Sequence, residues 1–366
     1  MPGEPTSPGS PALAIRHQTG TCPIHLGVGL LARLPDFVAE YLAGRRIAVI
    51  ADATVASVVD HGLDANVFTF PAGESSKTRA TWADLTDRIL ATGYGRDSGI
   101  VALGGGVTGD LAGFVAATYH RGIPLLQVPT SLLAMVDASI GGKTGVDVPA
   151  GKNLVGAFHQ PQAVVIDPGV LTSLPSTQWR QGLAEMVKHA LIADPDHFAQ
   201  LEHSREQLVG GEPGVIAPMI RRSVAIKAAI VESDEKEAGR RAMLNAGHTV
   251  AHALELTTGF AVGHGDAVAI GLVIECGLGE ASGSTTHGTR NRVESLLSAL
   301  GLPTRLPAGV HPEAVLTAMV SDKKNRGGEI RFAIASGVGA MAGEDATGWT
   351  VAIPVDLIRR VVADFA

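Results

Sequence analysis

Histidines in the second half of the chain have a spacing that suits metal binding. His248 and His252 in NAGHTVAHALE are one helical turn apart and share a helix face, and His264 follows in GHGD. No glutamate follows His248, so the HExxH pattern of zinc proteases is absent. A single histidine is usually a core or surface residue, whereas several imidazoles with one carboxylate are typical of a catalytic zinc site. Spacing alone favours the adjacent pair His248 and His252 as ligands.

The carboxylate partner has to come from another segment, and GLAEMVKHA is the best candidate. It places Glu185 and Lys188 on one face of an otherwise apolar helix. Two imidazoles and one carboxylate leave open positions on zinc for water or substrate. These residues therefore predict a metal centre.

A glycine loop, Gly104–Asp110, follows an apolar run and contains G-x-G-x-x-G before a predicted helix. Glycines let the backbone approach a diphosphate, and the helix N-terminus supplies N–H donors. A tight turn without a ligand is the alternative interpretation. No acid closes the next strand, which ends in Thr130 and Ser131, so Asp52 at the end of an earlier strand is the candidate for the ribose.

Lysines lie in two further polar segments. ASIGGKTG resembles part of a phosphate-binding loop but lacks the G-x-x-x-x-G-K-[ST] spacing. We interpret Lys143, Lys152 and Asn153 as residues of a flexible loop that can reach a phosphate or carboxylate, the alternative being ordinary surface residues. PAGESSK, residues 71–77, is a second polar loop, or only a solvated turn.

The elements that position these residues change character along the chain. Apolar runs separated by helix-like stretches, such as Thr78–Thr92 and Leu111–Ala117, predict a parallel sheet covered on both faces. The predicted strands are Arg46–Asp52, Ser98–Leu103, Ile123–Val128 and Ala163–Asp167. From Pro175, just inside a predicted helix start, apolar residues follow helical spacing.

We therefore predict a disordered tail over residues 1–15 and an α/β, Rossmann-like nucleotide-binding domain over 16–172. A mainly α-helical metal- and substrate-binding domain follows over 173–366. Ligands of such sheets bind at the carboxyl ends of the strands, so we expect the active site between the two domains.

Composition excludes several classes of protein. The 366 residues are 45% hydrophobic and 18% charged, which is typical of a globular protein. A net charge of −7 argues against nucleic acid as a partner. Cys22 and Cys276 are the only cysteines and indicate a reducing compartment. The apolar runs are too short to span a bilayer and the first residues do not resemble a signal peptide, so we expect a cytoplasmic protein without membrane contact.

Together these motifs resemble the 3-dehydroquinate synthase family of sugar-phosphate cyclases. The resemblance extends from about Pro71 to Phe332 and is carried by PAGESSK, LGGGVTGDLAGFVAATYHRG, VPTSLLAMVDASIGGKTGVDVPAGKNLVGAFHQP, GLAEMVKHA, NAGHTVAHALE, GHGDAVAIG and SDKK. It implies a dehydroquinate synthase-like fold whose metal ligands are Glu185, His248 and His264. His252 would then contact the substrate or handle a proton.

The resemblance also implies the remaining site residues. NAD would contact Asp52, Glu74, Lys77, Gly105, Gly106, Val107, Asp110, Thr130, Ser131, Lys143 and Lys152. The substrate would be surrounded by Arg121, Asp137, Lys143, Lys152, Asn153, Lys188, Lys227, Arg241, Asn245, His252, Lys323 and Lys324. Ser131 is the one departure noticed, since the family often has threonine there, and it keeps the hydroxyl.

The implied reaction converts 3-deoxy-D-arabino-heptulosonate 7-phosphate, a phosphorylated keto-acid sugar, to 3-dehydroquinate and phosphate in the shikimate pathway. It proceeds by transient NAD-dependent oxidation, β-elimination of phosphate, reduction and intramolecular aldol closure. Such an enzyme is a phosphate lyase that needs NAD and Zn²⁺, with Co²⁺ as a possible substitute. Family likeness also implies a homodimer in which Arg121 reaches the partner's site.

Other functions remain open from the sequence. Another sugar-phosphate cyclase would keep the fold. Lys227, Arg241 and Asn245 favour a substrate with a carboxylate, which disfavours 2-deoxy-scyllo-inosose and valiolone products but not aminodehydroquinate. A metal-dependent polyol dehydrogenase would consume NAD and would leave the lysines and arginines without a role. A catalytically silent NAD-binding protein would not need Glu185 or the histidines.

Overall fold

The computed structural model of this chain describes residues 9–321, 330–343 and 347–366. The chain divides into two compact units, Met1–Leu174 and Pro175–Ala366. None of the helices in the described ranges combines the length and apolar composition that a membrane span requires.

The first unit is an α/β structure. Its strands are Leu13–His17 (β1), Gly20–Leu26 (β2), Arg46–Asp52 (β3), Asn66–Phe70 (β4), Ser98–Gly104 (β5), Leu125–Pro129 (β6), Lys143–Val148 (β7), Gly151–Phe158 (β8) and Ala163–Ile166 (β9). Its α-helices are Leu34–Tyr41 (α1), Ala53–Val58 (α2), Arg79–Ala91 (α3) and Gly106–Thr118 (α4). Seven strands form one sheet in the order β1-β2-β9-β6-β5-β3-β4. Every neighbouring pair in it is parallel except β1 and β2.

The sheet is covered on both faces, as the continuous apolar runs predict. Ile50 and Ile100 pack with α3 and α4 in one core cluster. Their chain neighbours Val49 and Val101 point to the opposite face and pack with α1 in a second cluster. Because both faces are buried, the central strands carry no alternation of polar residues. The predicted fold class is confirmed.

Several element boundaries differ from the predictions for local reasons. The predicted helix 78–92 is observed as α3, and Thr78 caps it by accepting a hydrogen bond from the Thr81 N–H at 3.1 Å. Helix α4 begins at Gly106, five residues before the predicted Leu111, because the glycine loop itself forms the first helical turn. Strand β1 begins at Leu13, inside the predicted tail, and buries Ile15.

The interpretation of residues 143–153 as a flexible loop is wrong. Lys143 begins β7, whereas Lys152 and Asn153 lie in β8, and the two strands form an antiparallel hairpin. The glycines that suggested a loop allow close strand contact, since a Cβ on Gly156 would lie 2.1 Å from the Thr144 carbonyl oxygen.

The second unit is mainly helical. Its helices are Ser176–Ala193 (α5), Pro195–His203 (α6), Arg205–Val209 (α7), Pro213–Ser233 (α8), His248–Thr257 (α9), His264–Ser282 (α10), Thr289–Ala299 (α11), Pro312–Ser321 (α12) and Val355–Ala363 (α13). Short strands Ile330–Phe332 (β10) and Val351–Ile353 (β13) pair with each other, as do Ala335–Gly337 (β11) and Ala340–Met341 (β12). Pro175 is the N-cap of α5 and not its first helical residue.

Helix α10 lies at the centre of this unit. It is apolar over most of its length, and it packs against α5, α9, α11 and α13. The helices α5, α9 and α10 carry the predicted metal ligands. The packing of α10 against α5 and α9 therefore determines the geometry of that site.

Candidate functional site

Helix α5 supplies a buried acid and a buried cation to the candidate metal site. Glu185 is fully buried, and its Oε2 lies 2.5 Å from Nζ of Lys188 one turn later. The remaining oxygen, Oε1, faces two histidines from other helices. The sequence-based expectation that Glu185 and Lys188 share a helix face is thus observed.

Glu185, His248 and His264 converge in space. Glu185 Oε1 lies 3.1 Å from Nε2 of His264 and 3.7 Å from Nε2 of His248, and the three ligand atoms lie within 4.8 Å of one another. One carboxylate oxygen and two imidazole nitrogens form a donor set that suits Zn²⁺ or Co²⁺ and leaves coordination positions open. The three side chains fit a catalytic metal ion.

His252 lies next to this group. Its ring centroid is 5.5 Å from that of His248, and its side chain is exposed. His248 and His252, the pair that spacing alone favours, do lie on one helix face. The group of possible metal ligands, however, combines His248 with His264 and not with His252.

The two imidazoles of the group differ in charge. Burial, with the nearby Lys188 cation, lowers the pKa of His248 to about 3, so its ring is neutral at pH 7, the form that binds a metal. Burial also disfavours a charged His264, but hydrogen bonds to Glu185 and Glu255 outweigh it and raise the pKa of His264 to about 9. A divalent cation would displace that proton.

Two carboxylates that the sequence analysis did not identify contact predicted site residues. Glu255 Oε1 lies 3.3 Å from Nδ1 of His264, on the side of the ring away from Glu185. Glu237 Oε1 accepts a hydrogen bond from the Asn245 side-chain amide at 3.0 Å. Glu255 ends the motif NAGHTVAHALE, one turn after His252, which is the only local signal for it.

Buried cations are the second feature of this unit. Lys188, Lys227 and Arg241 are all buried. Arg241 Nη1 donates to the Glu235 carbonyl oxygen at 2.6 Å, and its backbone N–H donates to Asp234 at 3.0 Å. Charged side chains are rarely buried unless they are paired or bind a ligand, because desolvation disfavours the charge.

In the first unit, the glycine loop joins β5 to α4. Gly105 is the N-cap of α4 and, within the described residues, makes no side-chain capping bond, so the first-turn N–H groups can serve a ligand. A Cβ on Gly105 would lie 3.4 Å from the Ser131 Oγ, and one on Gly106 would lie 3.2 Å from the Ala138 Cβ. The Thr130 N–H donates to the Gly104 carbonyl at 2.9 Å, which aligns the ends of β5 and β6. Val107 and Asp110 follow in α4. This backbone fits a dinucleotide diphosphate.

Asp52 ends β3, the strand next to β5. Its Oδ1 caps α2 by accepting hydrogen bonds from the N–H groups of Thr54 and Val55 at 3.0 Å. Capping occupies one carboxylate oxygen, and Oδ2 lies 3.5 Å from the Thr108 hydroxyl.

A buried lysine links the glycine-loop helix to the hairpin. Lys77 Nζ lies 2.5 Å from Asp110 Oδ2 on α4 and donates to Asn153 Oδ1 on β8 at 2.6 Å. Glu74 Oε1 lies 3.6 Å from Nζ of Lys152. The Glu74 carboxylate also acts electrostatically on Lys77, so the structure brings these five predicted residues together.

The other predicted residues of the first unit are Arg121, Asp137 and Lys143. Arg121 is exposed at positive φ, and Asp137 lies in a π-helical turn, Ala134–Ala138. Lys143 is exposed at the start of β7. Lys323 and Lys324 lie outside the described residues.

Comparison with known proteins identifies the family. The 3-dehydroquinate synthase N-terminal family matches residues 67–181, and the 3-dehydroquinate synthase C-terminal family matches residues 182–325. The 3-dehydroquinate synthase of Acidithiobacillus ferrooxidans is 44% identical over 328 residues, which cover 87% of this chain and 90% of the relative.

Solved structures of related cyclases have the same fold. A 2-deoxy-scyllo-inosose synthase complexed with carbaglucose-6-phosphate, NAD⁺ and Co²⁺ superposes with a TM-score of 0.85 at 26% identity, covering 97% of this chain and 99% of that one. The 2-epi-5-epi-valiolone synthase of Streptomyces hygroscopicus subsp. jinggangensis, with NAD⁺ and Zn²⁺ bound, gives 0.83 at 29% identity, covering 94% and 96%. With two matching family models and a relative of this identity, the chain belongs to the 3-dehydroquinate synthase family.

Proposed function

We propose that this chain converts 3-deoxy-D-arabino-heptulosonate 7-phosphate to 3-dehydroquinate and phosphate, as a phosphate lyase of the shikimate pathway. The observation that carries the proposal is the group of Glu185, His248 and His264, with the buried Lys188 cation in contact with Glu185. A ligand set with an adjoining cation suits an anionic substrate that also binds a metal through hydroxyl groups. Family membership supplies the identity of that substrate.

The cofactors of the proposal are a divalent metal ion, Zn²⁺ or Co²⁺, and NAD⁺. Glu185, His248 and His264 would hold the metal, and the glycine loop with the first turn of α4 would hold the dinucleotide diphosphate. When bound, the metal would acidify a substrate hydroxyl and NAD⁺ would accept and return one hydride, so that the net reaction is not an oxidation. The related cyclases solved with these groups support the assignment.

The chain's own cations would bind the substrate. Lys227, Arg241 and Asn245 would hold its carboxylate, because a buried guanidinium and an amide donate several hydrogen bonds to a planar anion. The Asn245 amide is oriented by Glu237, which directs it before substrate arrives. The other proposed substrate contacts are Arg121, Asp137, Lys143, Lys152, Asn153, Lys188, His252, Lys323 and Lys324.

Proton transfer is the remaining task for the protein. His252 is exposed and lies beside His248, where its imidazole would give or take a proton on a substrate held next to the proposed metal ligands. The substrate phosphate would itself remove the proton next to the transient ketone before it leaves, so no larger set of protein bases is required.

The decisive experiment incubates purified protein with the heptulosonate phosphate, catalytic NAD⁺ and Zn²⁺, and measures phosphate and 3-dehydroquinate. We expect both products in equal amounts and no accumulation of NADH. Steady NADH formation with glycerol would instead indicate a polyol dehydrogenase. Turnover of the amino analogue in preference to the heptulosonate phosphate would indicate an aminodehydroquinate synthase.

Variants separate the substrate site from the NAD site. Arg241→Ala should lower turnover while NAD⁺ binding stays nearly intact, whereas Lys143→Ala, at a residue proposed to contact both substrate and NAD⁺, should lower both turnover and NAD⁺ affinity. Lys236→Ala, which removes an exposed cation five residues from Arg241, is the matched control and should leave turnover unchanged. Loss of NAD⁺ binding in Arg241→Ala would remove Arg241 from the substrate site.

We also propose a homodimer in the cytoplasm. Strand β8 exposes Leu154 at 63% and Phe158 at 48%, and exposed apolar side chains of this size on one strand favour a protein contact. Cys22 and Cys276 are buried free thiols, consistent with a reducing compartment. Sedimentation should give twice the chain mass, and Leu154→Lys should yield monomer.

A further inference from the structure

Helices α9 and α10 begin at the two proposed metal ligands, His248 and His264, and neither helix caps itself. Their N-cap residues are Gly247 and Gly263, which have no capping side chain. Gly247 has φ +80°, and a Cβ there would lie 2.9 Å from the Leu272 side chain. Because the first N–H groups of a helix need acceptors, each helix has to take its cap from elsewhere.

Glu275 caps α9 from a position three turns after the start of α10. Its Oε2 accepts a hydrogen bond from the Gly247 N–H at 2.6 Å, and its Oε1 accepts one from the Val250 N–H at 3.3 Å. The two bonds lie on either side of His248 in the chain. The carboxyl group is buried, so water cannot replace it as the acceptor.

Gln181 caps α10 from α5. Its side-chain oxygen accepts a hydrogen bond from the Gly265 N–H at 2.5 Å, one residue after His264. Contact is close, since a Cβ on Gly265 would lie 2.5 Å from the Gln181 backbone. Gln181 precedes Glu185 by one turn on the same helix, so it shares a helix face with the third proposed ligand.

The two caps join the three helices in series. Gln181 attaches the start of α10 to α5, and Glu275 attaches the start of α9 to α10. Each helix carries one member of the ligand group. The spacing between Glu185, His248 and His264 therefore depends on two hydrogen-bonding side chains that themselves lie outside the group.

We propose that Gln181 and Glu275 are positioning residues for the metal site, which hold His264 and His248 at the correct distance from Glu185. The inference rests on the proposed function, because it assumes that these three side chains bind a metal. Residues that orient metal ligands typically change metal affinity by about 10- to 100-fold when they are replaced.

The test measures Zn²⁺ affinity by competition with a chromophoric chelator, together with the absorption spectrum of the Co²⁺-loaded protein. Glu275→Leu and Gln181→Met remove the acceptors and keep similar volume. We expect each to weaken Zn²⁺ binding by about 10- to 100-fold and to shift the Co²⁺ bands, with NAD⁺ affinity unchanged. Gln181→Glu keeps an acceptor oxygen and should restore most of the affinity.

Matched controls separate positioning from general destabilisation. Ile274→Ala and Leu183→Ala delete buried apolar side chains beside the caps on α10 and α5, and should lower stability while leaving Zn²⁺ affinity unchanged. If Glu275→Leu and Gln181→Met lose stability like these controls but bind Zn²⁺ as tightly as wild type, the positioning role is refuted.

If Glu275→Leu does not fold, the same Zn²⁺ affinity measurement is made on Glu275→Gln, which keeps one acceptor oxygen, and on the Gln181 variants. Those variants then test the positioning role. If wild type does not bind Zn²⁺, or if His248→Ala binds it as tightly as wild type does, the proposed metal site is wrong. The positioning role is then refuted together with the metal site.

Discussion

Replacing Lys77 by methionine should destabilise the first unit strongly. The Lys77 ammonium is buried between Asp110 and Asn153, at 2.5 and 2.6 Å. Burial alone would lower its pKa, but the carboxylates of Asp110 and Glu74 outweigh that effect and raise the pKa of Lys77 above its usual value. The folded state thus favours the charged lysine.

The magnitude follows from what the substitution leaves behind. Methionine fills the volume, so the main cost is a carboxylate and an amide that lose their common donor. Breaking a buried ion pair costs about 3–5 kcal/mol. Asp110 keeps 19% of its side chain exposed, and water can partly solvate it, so we expect the low end, about 3 kcal/mol. A raised lysine pKa contributes stability that is fully present below the unfolded-state pKa near 10.5, so the whole loss should be seen at pH 7.

The assay is a double-mutant cycle in urea at pH 7 with Lys77→Met, Asp110→Asn and the double variant. Because the two side chains are in contact, the double variant should lose at least about 1 kcal/mol less than the sum of the singles. Arg33→Met, which removes a partly exposed pair with Asp36, is the control and should cost less than about 1 kcal/mol. Costs that add within about 0.5 kcal/mol would refute the coupling.

Three further predictions concern the second unit. Burial lowers the pKa of His197 to about 4, so the unfolded chain binds an extra proton below its usual pKa near 6.5. Stability should therefore fall by roughly 3 kcal/mol between pH 6.5 and pH 4, and urea denaturation of His197→Gln should show a smaller acid loss; an unchanged pH slope would contradict this. Gly271→Ala should cost about 3 kcal/mol, measured as a lowered Tm, because its Cβ would lie 1.9 Å from the Gly247 carbonyl oxygen, whereas Gly214→Ala meets open space and is the control. Zn²⁺ at 100 times its Kd should stabilise the protein by about 2.7 kcal/mol, and Glu185→Gln should abolish that stabilisation. Activity that survives complete metal removal would exclude the proposed metal.

The parts of the fold that could be predicted are those with a local pattern. Strands β3 and β5 are uninterrupted apolar runs with polar ends, and Thr78 is a recognisable helix cap. The β7–β8 hairpin has no such pattern. Its glycines locally predict a loop. The two strands pair because Gly145 and Gly156 lack side chains, which allows the backbones of β7 and β8 to approach each other closely. Pairing of this kind depends on a contact that neither segment encodes alone.

The candidate site divides in the same way. Histidine spacing and the glycine loop point to a metal and a dinucleotide, but spacing alone would have paired His248 with His252. Choosing His264 required the family resemblance. Glu275 and Gln181 belong to no recognisable motif, and their partners lie 28 and 84 residues away in the chain. No local motif could have indicated them.

Net charge was the least informative property for this site. A chain of charge −7 still buries Lys188, Lys227 and Arg241 in one unit. Burying a cation costs free energy, and the fold offsets part of that cost locally: Glu185 contacts Lys188, and a backbone carbonyl accepts from Arg241. A substrate with a phosphate and a carboxylate would offset more. The same cations would then have paid their desolvation cost during folding, so little reorganisation would remain when the substrate binds. That is a physical reason for an acidic protein to keep buried cations for an anionic substrate.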